Sequence, residues 1–134
     1  MRHYNHNIKP AMGVFHKKGL RLCLCCLLFL SCAMTPPPES FIDPALLKDG
    51  IYEGSYRGGP NKAVVRVSIA GGKISSIKVL EHQAWRGRKA ETPIVERIIA
   101  AQSTTVDAVS GATNSSRVIM NAVQNAVEKA YPPK

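Results

Sequence analysis

Two apolar-alternating runs joined by a glycine pair constrain this chain more than any other feature. From Ala63 to Ala70, Val65, Val67 and Ile69 fall on one side and Val64, Arg66 and Ser68 on the other, the period of a half-buried strand. Gly71-Gly72 accepts the positive φ angles of a two-residue hairpin turn, and Lys73 to Leu80 supplies the returning strand. Ile51 to Tyr56 has strand-forming residues and precedes the hairpin.

Helices follow from a different period. Thr92 offers an N-cap oxygen, Pro93 suits a first helical position, and Ile94, Val95, Ile98 and Ile99 recur at helical spacing as far as Ala101. From Ser115 or Ser116 to Ala130, one ridge is Val118, Ala122, Ala126 and Ala130, and the next is Ile119, Val123 and Val127. Asp43-Pro44 before Ala45 to Lys48 reads as a short helical turn, Glu81 to Glu91 as a polar loop, and Thr104 to Val109 as a short strand or an extended loop. The expected fold class is α+β: a small antiparallel sheet of three to four strands with helices packed on one face.

The N-terminal third is different material. Of the 18 Lys and Arg residues, Arg2, Lys9, Lys17, Lys18 and Arg21 precede Ser31, whereas all 9 acids lie beyond Cys32. The apolar run Leu22 to Leu30 follows and is closed by Ser31-Cys32-Ala33, which reads as an export signal. Its nine residues fall short of the roughly 20 needed to cross a bilayer. Either Met1 or Met12 serves as the start. Phe29-Leu30-Ser31-Cys32 resembles the lipobox of bacterial lipoproteins, which implies lipidation at Cys32; the alternative is an ordinary signal peptide rich in cysteine. All 4 cysteines lie between Cys23 and Cys32, so the remaining chain has neither a disulfide framework nor a thiolate metal site. The expected organisation is a signal peptide at 1–31, a Pro-rich tether at 32–42 that includes Pro36-Pro37-Pro38, and a single domain at 43–134. The localisation expected is an exported, membrane-anchored lipoprotein facing the periplasm or cell exterior. The domain's modest positive charge is scattered apart from Arg86, Arg88 and Lys89, a pattern unlike that of nucleic-acid binders.

Chemistry concentrates just before the last helix, in Asp107-Ala108-Val109-Ser110-Gly111-Ala112-Thr113-Asn114-Ser115-Ser116. Gly111 and Ala112 permit close approach to the backbone, and a helix N-terminus presents unpaired amides that favour a phosphate. Taken alone, these residues fit a serine-capped helix behind a glycine loop better than a phosphate site, because serine and threonine are the commonest cap residues. The segment resembles the flavinylation motif of the FMN-binding domain family, whose pattern is Asp, two residues, Ser/Thr-Gly-Ala-Thr, two residues and Ser/Thr. This family includes the C subunit of the sodium-translocating NADH:quinone oxidoreductase. The similarity extends through Asp49-Gly50-Ile51-Tyr52-Glu53-Gly54, the Gly71-Gly72-Lys73-Ile74 hairpin, Glu91-Thr92 and the final helix.

That resemblance implies FMN bound covalently, as a phosphoester on Thr113, by a separate flavin transferase that takes it from FAD. Asp107 is then part of the transferase's recognition signal, and Ser110, Gly111, Ala112 and Ser116 complete the motif. Asn114 departs from the apolar residue common there. The resemblance also implies that the strand near Gly54 and Gly58 and the segment holding His82, Glu91 and Thr92 lie near the isoalloxazine ring, with Tyr56 or Trp85 as stacking candidates. Each has a plainer reading: His82 as a solvated loop residue, Tyr56 as strand packing, Thr92 as a helix cap. The function expected is an electron-transfer module serving redox donors and acceptors. The alternatives are a small flavin-dependent reductase with its own acceptor and an unflavinylated accessory lipoprotein.

Overall fold

The computed structural model describes residues 35–38 and 42–133. The proposed signal peptide, the lipobox with Cys32 and part of the tether lie outside the described residues. Three strands, β1 (Gly50–Gly58), β2 (Asn61–Ala70) and β3 (Lys73–Gln83), form one antiparallel sheet in the order β1-β2-β3. Helices α1 (Glu91–Ala101) and α2 (Thr113–Glu128) complete the domain, so it is α+β with three strands.

The alternation in β2 sets the layers. Ala63, Val65, Val67 and Ile69 are buried and Arg66 is exposed, so a single face of the central strand is covered. Both helices supply that cover: α2 packs on β1 and β2, and α1 on β3. Val118, Ile119, Val123 and Val127 of α2 are fully buried, as are Ile94 and Ile98 of α1. β1 turns Tyr52, Gly54, Tyr56 and Gly58 toward α2. At Gly54 the helix comes so near that a Cβ would collide with the Ala122 carbonyl and the Ala126 amide. Only glycine permits that approach.

Gln102 closes the edge of the sheet. It ends α1 in the left-handed region at φ 48°. Its side-chain amide then takes both backbone groups of Ile74, with Oε1 accepting from N at 2.8 Å and Nε2 donating to O at 2.9 Å. Beyond it, the buried Thr104 hydroxyl donates to the buried Gln124 carbonyl oxygen, tying the following loop to α2.

Several boundaries differ from the sequence reading. Glu81 to Glu91 is not one polar loop: β3 continues to Gln83, a 3₁₀ turn spans Arg88–Ala90, and α1 starts at Glu91. Thr92 therefore lies inside α1 and caps nothing, because Ala90 is the N-cap and runs into the helix in a helical conformation. α2 begins at Thr113, ahead of the serines expected to open it. Asp43 accepts the Ala45 amide at 3.0 Å around an isolated turn rather than a helix. Thr104 to Val109 is an extended loop, so no fourth strand forms there.

Candidate functional site

The site is built where the turn before α2 meets the end of the hairpin. Ala112 N donates to Val109 O at 2.9 Å, closing a four-residue turn with Gly111 at its third position. Gly111 holds φ +71°, a conformation that favours glycine there. Ala112 is buried, and Thr113 opens α2 half-buried.

The hydroxyls flanking Thr113 are already engaged. Ser116 is fully buried; its Oγ accepts from Val109 N at 3.0 Å and donates to Ala112 O at 2.9 Å, locking the turn against the first turn of the helix. Ser115 Oγ accepts from Asn61 Nδ2 at 3.3 Å. Neither serine caps α2: the N-cap is Ala112, and no side chain bonds the first-turn amides. An α-helix leaves its first amides without intrahelical partners, so a donor-rich N-terminus faces outward beside Thr113.

A cleft of about 540 Å³ lies there, lined by Gly111, Ala112, Thr113, Asn114 and Ser115 on one side and by Asn61, Trp85, Arg86 and Gly87 on the other. Gly87 makes the two walls meet, since a Cβ on it would collide with the Ser115 side chain. Cationic groups gather at the rim. Arg86 lines the cleft, and Lys89 Nζ sits over Gly111, within 3.0 Å of where a Cβ there would stand. Trp85 is 95% exposed, a rare position for a residue that usually buries its ring.

The sequence model of the FMN-binding domain matches residues 57–128, over half of the chain, and this range includes Asn61, Trp85 to Gly87 and Gly111 to Ser115 around the cleft. The chain belongs to the FMN-binding domain family. A protein of Treponema pallidum (strain Nichols), described as uncharacterized, is 37% identical over an alignment of 95 residues that covers 66% of this chain and 25% of that protein. This chain thus spans a quarter of that relative's length. The crystal structure of the CPE2226 protein from Clostridium perfringens superposes with a TM-score of 0.51 at 21% identity, over 63% of this chain and 88% of that one, a likeness of fold alone.

FMN is therefore the ligand against which the cleft is to be tested, and the residues present fit it. The uncapped helix terminus, Arg86 and Lys89 suit a phosphate, and the exposed Trp85 ring suits a flat aromatic system. Among the motif residues, Gly111, Ala112 and Thr113 line the cleft. Ser110 is exposed on the turn, and Ser116 is sealed behind it. Asp107 is exposed on the preceding loop, where its backbone oxygen accepts from Arg97 Nη1 at 2.5 Å.

The other residues expected near the ring do not line this cleft. Gly54 serves helix packing, and Gly58 makes room for Thr35 and Val118. Tyr56 packs on the core. Glu91 and Thr92, at the start of α1, do not line the cleft; Glu91 Oε1 instead holds His82 Nδ1 at 2.9 Å. His82 is no solvated loop residue, because its side chain is only 1% exposed and Nε2 has no partner among the described residues. Asn61, Arg86, Gly87 and Lys89 went unread in the sequence as parts of one site. The cluster Arg86, Arg88 and Lys89 was the one signal, and nothing local tied it to Thr113, more than twenty residues away.

Proposed function

We propose that this protein is an electron-transfer module carrying FMN as a phosphoester on Thr113, on a lipoprotein anchored through Cys32. One observation carries the reading: Thr113 is the motif hydroxyl that faces the cleft at an uncapped helix N-terminus, while Ser115 and Ser116 are committed to Asn61 and to the Val109–Ala112 turn. A structural cap would put a side-chain oxygen at the residue before the helix, and Ala112 stands there with none. Here that position is left to a ligand.

Attachment is a transfer from FAD. The Thr113 Oγ–phosphorus bond forms, the pyrophosphate bond of FAD breaks, AMP leaves, and the hydroxyl proton passes to a base of the separate transferase. Asp107, exposed ahead of the turn, is available for that enzyme to recognise. Arg86, Lys89 and the α2 amides offset the charge of the phosphodiester. When bound, FMN supplies one- and two-electron chemistry, and the protein supplies position and electrostatics. A covalent link keeps the cofactor outside the cytoplasm, where a dissociated flavin is lost by dilution.

A cleft open to solvent, with the Trp85 ring almost fully exposed beside it, favours a carrier over a reductase with an enclosed acceptor pocket of its own. Co-expression of Thr113→Val with a flavin transferase tests the attachment. The variant emerges without covalent flavin, whereas Ser110→Ala retains it; flavin still bound to Thr113→Val under denaturing conditions refutes the assignment.

A further inference from the structure

Residues 35–38 are expected from composition to belong to an extended, semi-rigid tether, yet the described chain holds them against the domain. Thr35 and Pro38 are buried. Thr35 N donates to Asn114 Oδ1 at 3.2 Å, Arg117 Nη1 donates to Thr35 O at 3.1 Å, and Asn121 Nδ2 donates to Pro36 O at 2.8 Å. Thr105 Oγ1 donates to Pro38 O at 3.1 Å. Asn114, Arg117 and Asn121 recur at helical spacing, so one face of α2 forms a polar rail that grips an extended backbone. Gly58 completes the seat, since a Cβ there would collide with Thr35 Oγ1. The prolines fix φ in advance and lower the entropy cost of docking.

The position of this rail matters. Asn114 follows Thr113 directly, and Thr35 follows Cys32 by three residues, a chain length of at most about 11 Å. We infer that residues 35–38 are a docked strap that fixes the Thr113 cleft at a short, set reach from the anchor, with Asn114, Arg117 and Asn121 as its positioning residues. Asn114, the departure from the family's usual apolar residue, is explained by this role: it also donates to Gly58 O at 3.5 Å, linking the strap, β1 and the attachment turn. Such a mount suits a redox partner held in the same membrane. The inference rests on the reading that Cys32 carries lipid and Thr113 carries flavin.

The test uses the full lipidated chain in vesicles containing headgroup-nitroxide lipid, with quenching of flavin fluorescence as the readout. A twenty-residue Gly/Ser insert adds a root-mean-square reach of about 25 Å. Placed between Ala33 and Met34, it abolishes most of the quenching. Placed between Glu39 and Ser40, beyond the strap, it leaves quenching unchanged, and adding Asn114→Ala with Asn121→Ala to that second insert abolishes it. Equal loss from both inserts overturns the strap.

Intact mass establishes lipid and flavin beforehand, so their absence counts against the proposed function and not against the strap. Docking has a readout that needs neither group. Thr35 carries the only amide hydrogen in residues 35–38, and Asn114→Ala speeds its exchange about five- to tenfold. A Thr35 amide exchanging at the free-chain rate in the unmodified sequence overturns the strap whatever the mass shows.

Discussion

Ser116→Ala separates the structural part of the motif from its chemical part. The substitution removes one buried hydroxyl that serves two groups. Ala112 O keeps the Ser116 amide as a donor at 2.9 Å, so its loss is small. Val109 N loses its acceptor in a partly buried turn, a cost of about 1–3 kcal/mol for an unsatisfied group. Taking about 2 kcal/mol, and about 4–8 °C per kcal/mol for a domain of this size, thermal unfolding followed by circular dichroism falls by roughly 8–16 °C. Ser110→Ala, on an exposed hydroxyl of the same turn, stays within about 0.5 kcal/mol of the parent. Equal stability of Ser116→Ala and the parent refutes the locked-turn argument and leaves the orientation of Thr113 unexplained.

Three further outcomes follow from the geometry. Asp49 accepts the Gly71 and Gly72 amides at 3.0 and 3.2 Å, and these bonds lower its pKa from 3.8. A depressed folded pKa adds stability above the unfolded value, so the midpoint deficit of Asp49→Asn at neutral pH narrows as pH falls below about 3.8; a deficit independent of pH contradicts the assignment. Glu91→Ala removes the partner of buried His82 and costs about 1–3 kcal/mol in urea unfolding, whereas Glu96→Ala, on an exposed position of α1, is near neutral. Trp85→Ala leaves the unfolding midpoint of the flavin-free chain within about 0.5 kcal/mol, yet in flavinylated protein it brightens flavin fluorescence by removing a stacking quencher; unchanged emission places the ring away from Trp85.

Much of the architecture was legible because its signals are local. The Gly71-Gly72 hairpin, the one-sided burial of β2 and both ridges of α2 follow from periodicity. What escaped was decided by partners distant in sequence. The end of β3 reads as polar loop because His82 points inward between outward Glu81 and Gln83, and only Glu91 makes that burial acceptable. Thr92 has the chemistry of a cap, but a 3₁₀ turn feeds α1 directly and leaves the role empty. Ser115 and Ser116 were expected to start α2, yet their hydroxyls answer to Asn61 and Val109, and the helix starts at Thr113. The Pro-rich segment looks like a spacer because its carbonyl partners lie about eighty residues away on α2.

The central claim concerns a single oxygen atom, and mass reads it directly. Protein taken from its native host and digested should yield a peptide spanning Thr113 that is heavier by FMN minus water, with fragmentation placing the increment on Thr113. The same peptide at its unmodified mass, from a preparation without flavin absorbance, contradicts the account.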